Sequence, residues 1–260
     1  PNPTEAHAVE RALEGKTPDQ AIAHLEKNAP TPDQRLIAGR VRQQMKRLSA
    51  AGVRYEFKIA HLGMMVPAQL QGARGISAHR LADGKIGVFL NGTDVVGRVG
   101  TSYEVALHEF VHAATQGAIR FGNQKANADT PLGREVKDLY NVTNAIVKHF
   151  NERVRNPIKF TKFESAIYTG NANALQNADE VVAWALSNRE MQDYLDTIPY
   201  NSNQTLWGKF VEAVRTFLGL PAKADTALSE VLRIADRLLS QDSVAIATQN
   251  VQPAQARLDF

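Results

Sequence analysis

Cysteine is absent from the 260 residues. That excludes a disulfide framework and every thiolate metal site, so any bound metal must be held by histidine, aspartate or glutamate. A dominant sign of charge is missing too: 30 Lys and Arg stand against 27 Asp and Glu, a net charge of +3. So small an excess does not argue by itself for nucleic-acid binding. No apolar run is long enough to cross a bilayer, and no charged start with an apolar core marks a secretory signal. The expected compartment is the cytoplasm, with no membrane partner. With 43% hydrophobic and 22% charged residues the chain can build one large domain, or a catalytic domain with an appendage. The start at Pro1 is read as processing, excision from a longer polypeptide, or trimming during expression.

What is present is concentrated in His108-Glu109-Phe110-Val111-His112, an H-E-x-x-H pattern. Residues four apart on a helix lie on one face, so two imidazoles at this spacing can close on one metal ion without bending the backbone. Glu109 falls on the neighbouring flank, where it can serve as general base toward an attacking water. The pattern points to zinc-dependent hydrolysis, of a peptide bond first of all. Its surroundings predict a helix. Thr101-Ser102-Tyr103-Glu104 reads as a capping box, Leu107, Phe110, Val111 and Ala114 supply an apolar body, and Gly117 is expected to stop the helix in a left-handed conformation. The bland alternative is two part-buried histidines on an amphipathic helix.

The rest of the chain sorts into an N-terminal arm and basic helix (1–50), a main domain (51–240) and a tail (241–260). Residues 1–33 carry five prolines and one short helical candidate at 18–27, and read as a leader or docking arm rather than core. The helix expected from Pro32 to Ala51 bears Arg35, Arg40, Arg42, Lys46 and Arg47; a contact of 35–47 with nucleic acid is one expectation, a solvated face the commoner one. Strands are expected at 53–59, weakly at 75–79, and at 85–90. The last of these is expected to form a cleft edge able to capture an extended substrate. Helical candidates follow at 131–154, 177–189, 190–197, 205–218 and 226–239, while 156–176 shows no period and reads as a loop. The fold class is α+β, mostly α, with a small mixed sheet packed on the H-E-x-x-H helix and a helical C-terminal half. Oligomeric state is not legible.

A catalytic zinc needs a third protein ligand. The third histidine of the longer H-E-x-x-H-x-x-G-x-x-H pattern would fall at 118, which is Ala118. His149, at a lysine-rich helix end, is expected to be exposed or capping. Glu180 is the better candidate. Asp179 and Glu180 open an otherwise apolar helix; placement near a helix N-terminus explains them adequately, but Val181, Val182, Ala183 and Ala185 would bury the segment, and buried acids need a partner. Asp179 is then either an acceptor orienting a ligand histidine or the cap itself.

The segments HEFVHAAT, NADEVVAWALSN and LWGKFVEAVRTFLGL resemble the zincin-type (gluzincin-like) metallopeptidase domain of large polyvalent proteins of bacteriophages. The resemblance covers residues 50–240 in outline, and most of its specificity lies in D-E-x-x-A-x-A-L-S-N and the later W-x-x-F-V. It implies a zincin-like fold, zinc held by His108, His112 and Glu180, Glu109 as base, a protein or peptide substrate, and delivery from a virion into the cytoplasm of a bacterial host. Trp184 departs from the pattern, where a further acid or a small residue is expected. For the oxyanion that peptide hydrolysis develops, Tyr168 is the expected donor and Tyr194 the second choice. Two other functions compete: a zinc hydrolase of another amide bond, such as one in the cell wall, and a non-catalytic binding module with a vestigial zinc site. Self-processing and a protease associated with DNA are further possibilities.

Overall fold

In the computed structural model, residues 3–60, 75–80, 83–92, 101–155, 160–201 and 204–205 are described. They are mostly helical with a small sheet, an α+β arrangement in which α dominates. They fall into two compact units, one up to Gly117 and one from Ala118 onward. No helix among the described residues is long and apolar enough to cross a membrane.

The first unit opens with three helices: α1 (Pro3–Leu13), α2 (Pro18–Asn28) and α3 (Pro32–Ala50). Thr17-Pro18 and Thr31-Pro32 start the second and third in the same way. Each threonine accepts from the amide of a glutamine three residues on (Gln20, Gln34), whose side chain reaches back to the threonine amide, and each proline sits where no helical N–H is needed. Leu13, Ile22, Leu25 and Val41 are fully buried. The expectation of an arm outside the core therefore does not describe α1 and α2. Arg42 on α3 bonds Asp19 at 2.9 Å and Glu26 at 2.9 Å on α2, Lys46 lies 3.6 Å from Asp19, and Arg35 donates to the Ala29 carbonyl that ends α2. Much of the basic face is thus engaged within the helix pair, and a phosphate would have to compete with those carboxylates.

Three strands follow, β1 (Tyr55–Ala60), β2 (Gly75–Arg80) and β3 (Ile86–Asn91). Their order is β1-β3-β2, with β1 parallel to β3 from Tyr55↔Ile86 to Ala60↔Asn91 and β2 antiparallel to it. Here the sequence-based expectation is overturned: β3, the last strand before the H-E-x-x-H helix, is central and paired on both sides, so it is not a free cleft edge. Val88 and Leu90 are fully buried, as suits a strand with its backbone groups satisfied by two neighbours.

Helix α4 runs from Tyr103 to Gly122. Its cap is Ser102, whose hydroxyl accepts from the Val105 amide at 3.1 Å. Thr101, expected to cap, donates its hydroxyl to the Asn91 carbonyl at 2.6 Å and so ties the helix start to the end of β3. Gly117 does not stop the helix: it has no positive φ, and α4 continues because Ala118 and Ile119 beyond it are buried. Burying a side chain the size of Ile119 contributes roughly 1.5–3 kcal/mol, more than the ~1 kcal/mol that an interior glycine costs relative to alanine. The Phe110 ring of α4 stacks on Phe57 of β1, centroids 5.5 Å apart, which seats the helix on the sheet.

The second unit is built on α5 (Pro131–Val154), capped by Thr130 through the Gly133 amide. Leu132, Val136, Leu139, Val142, Ile146 and Phe150 form its buried stripe at helical spacing. Gly122 permits close packing there, since a Cβ on it would lie 2.5 Å from a methyl of Val136. The segment expected as a structureless loop contains α6 (Lys162–Tyr168), whose Thr161 and Glu164 form a capping box. Helices α7 (Ala178–Ser187) and α8 (Arg189–Asp196) meet at Asn188, which ends one and caps the other through the Met191 amide at 2.7 Å. Phe163 of α6 lies against Trp184 of α7 and Tyr194 of α8. Two short antiparallel strands, β4 (Pro199–Asn201) and β5 (Gln204–Thr205), follow. The helices expected at 205–218 and 226–239 and the tail from 241 lie outside the described residues, apart from Thr205 itself.

Candidate metal centre

One turn of α4 separates His108 from His112, and the two rings turn toward each other. Their Nε2 atoms are 3.2 Å apart, with ring centroids at 4.7 Å and planes at 81°. Two nitrogens on a tetrahedral ion at zinc–nitrogen distances of about 2.0–2.1 Å would stand about 3.3 Å apart. The pair is therefore spaced as two ligands of one ion would be. His112 is 6% exposed, which fixes its ring, while His108 is half-buried.

Glu180 lies in the first turn of α7. The capping explanation for the acids there is displaced, because Asn177 is the cap: its side-chain oxygen accepts from the Glu180 amide at 2.9 Å. Asp179 is accordingly not the cap either. Asn177 three residues before a glutamate was a visible start signal, overshadowed by the two acids. One ligand atom from each of His108, His112 and Glu180 lies within 4.8 Å of the others. This His-His-Glu group could hold a metal ion, and two neutral imidazoles with one carboxylate suit a borderline divalent cation.

No protein-family model, curated protein or solved structure matches the chain. The functional reading rests on the residues themselves.

Glu109 is 7% exposed, and among the described residues its carboxylate has no hydrogen bond or ion pair. Tyr168, at the end of α6, is 61% exposed, and its ring lies 5.7 Å from Phe160. Tyr194 is buried, its hydroxyl 3.5 Å from Nδ1 of His149; burial pushes that phenol up. His149 is held below its ordinary value by burial and by the neighbouring Arg153, and it stands apart from the His-His-Glu group. Trp184, where the family pattern led us to expect an acid or a small residue, donates its indole N–H to Asn173 at 2.9 Å and packs on Phe163. One residue the sequence did not single out is Tyr140 on α5. Burial and the charge of Asp179 raise its phenol, which places it near the first turn of α7. Nothing local to Tyr140 signals this, because only the packing of α5 on α7 brings the two together.

Proposed function

We propose that the chain is a zinc-dependent metallopeptidase of zincin-like build, hydrolysing a peptide bond in a protein substrate. The observation that carries this reading is the Nε2 pair at 3.2 Å, one helical turn apart, with Glu180 completing the group. His108 and His112 offer Nε2 lone pairs and Glu180 offers a carboxylate oxygen. Zinc, when bound there, would polarise the substrate carbonyl and lower the pKa of water. Glu109 takes the proton of the attacking water at a carboxylate oxygen and delivers it to the leaving amine. Its near burial keeps that proton from bulk water, and no ion pair among the described residues competes for it. Tyr168 is proposed as donor to the developing oxyanion, its exposure leaving the hydroxyl accessible to substrate. The resemblance to domains of polyvalent phage proteins supports a substrate met in the bacterial cytoplasm.

The test is cleavage of an unfolded protein mixture by zinc-loaded protein, read by mass spectrometry of new N-termini. Glu109→Gln should keep one zinc per chain and lose cleavage. Full cleavage by Glu109→Gln would refute the assignment of the base.

A further inference from the structure

Trp184 stands beside the ligand carboxylate of its own helix. It follows Glu180 by four residues on α7, so the two side chains share one face of that helix, one turn apart. Side chains on a helix lean over the turn that precedes them, which carries the ring of Trp184 toward Glu180. The hydrogen bond of the indole gives the same direction: its N–H donates at 2.9 Å to the side chain of Asn173, four residues ahead of the Asn177 cap. The ring is thus drawn to the end of α7 at which Glu180 offers an oxygen to the His-His-Glu group.

The chemistry of that position is narrow. The one polar atom of an indole is its N–H, and here it is bonded to Asn173, so the rest of the ring presents carbon alone. Phe163 of α6, almost fully buried, backs the ring at a centroid distance of 5.8 Å and a tilt of 54°. Trp184 itself is only half-buried. An apolar ring partly open to water gains by being covered, and a large apolar side chain covers it best. A cation, which an indole face can also attract, would there oppose the positive end of α7 and the bound ion. A carboxylate would find no donor on either ring.

We propose that Trp184 is the specificity-determining residue of the site. Its ring packs against a large apolar side chain, aliphatic or aromatic, on a residue flanking the scissile bond, and Asn173 is the positioning residue that holds the ring there. The proposal rests on reading the chain as a metallopeptidase and adds the class of substrate. Covering a side chain of leucine or phenylalanine size should favour such sites over glycine or charged ones by about 10–100-fold.

The experiment profiles the residues on both sides of every bond that zinc-loaded protein cleaves in an unfolded protein mixture, with zinc content measured in parallel. Wild type should enrich leucine, methionine or phenylalanine at one flanking position by about 10–100-fold. Trp184→Ala should keep one zinc per chain and still cleave, with the enrichment below about threefold. Asn173 is exposed, so Asn173→Ala carries the test if Trp184→Ala does not fold. It should lower the enrichment while keeping the zinc content and melting temperature of wild type. A ring that served only to pack on Phe163 would, when removed, slow all cleavages alike and leave the profile unchanged, which would overturn the proposal. Cleavage by wild type with no apolar preference at either flank would overturn it alone. No zinc uptake, or zinc without cleavage, would refute the metallopeptidase reading and this proposal with it.

Discussion

Glu180→Ala removes one ligand of three and puts a number on the metal centre. Four-ligand structural zinc sites bind with about 10–16 kcal/mol, or about 2.5–4 kcal/mol per ligand. Loss of one ligand at that value raises Kd by roughly 70- to 900-fold. With free zinc at about 100 times the wild-type Kd, wild type gains about 2.7 kcal/mol of stability on binding, and the variant gains about 0.5 kcal/mol or less. The metal-free protein should change little, because Glu180 is half-buried in a first turn already capped by Asn177. There the loss is a charge–dipole interaction of about 0.3–1 kcal/mol. Chelator competition gives Kd and urea melts with and without zinc give the stabilisation. His149→Ala is the control and should bind as wild type, since His149 faces Tyr194. Glu180→Ala binding zinc within about threefold of wild type, while folded without it, would refute the reasoning.

Two further predictions concern stability. Ser102→Ala should cost about 1 kcal/mol in a urea melt through loss of the α4 cap, and a null result would return the cap to Thr101. Arg153→Met should cost about 1–3 kcal/mol by depriving the buried Glu164 carboxylate, 2% exposed, of its guanidinium partner. Burial pushes Glu164 up, but the Thr161 amide and Arg153 outweigh it and hold the carboxyl below its ordinary value. A folded-state pKa below the unfolded one stabilises fully above the unfolded value and ceases to do so as pH falls through the folded one. The gap between wild type and Arg153→Met should therefore be full at neutral pH and close in acid. A gap independent of pH would exclude the ionised carboxylate as its source.

What could be read from the residues differs from element to element. The boundaries of α5 were legible because Thr130-Pro131 starts it and an unbroken apolar stripe runs to Phe150. His108, Glu109 and His112 were legible as types at a spacing, which the geometry of one helix turns into the close Nε2 pair, whereas Glu180 was legible only through the apolar neighbours that bury its segment. Strand order was not legible, since chain order does not say that β3 lies between β1 and β2; that is decided by which edges pair. The cap of α4 slipped by one residue because Thr101 and Ser102 are equally able to accept, and Thr101 is drawn to the Asn91 carbonyl. Gly117 misled because its local preference yields to the burial of Ile119 beyond it. Helix α6 was missed because it is too short to display a period, and its capping box alone announces it.

The central place of β3 also sets a sequence of events in time. Between β2 and β3 the chain turns at Asp83-Gly84, where Gly84 takes φ 78° and the Asp83 side chain accepts from the Lys85 amide at 3.1 Å. Closing that short connection is entropically cheap, whereas β1 must find β3 across a longer stretch of chain. The hairpin is therefore the part expected to exist in the folding transition state, with β1 and its Phe57 joining afterwards. Disturbing the turn delays arrival at the native state. Disturbing Phe57 leaves arrival almost untouched and shortens how long the native state lasts.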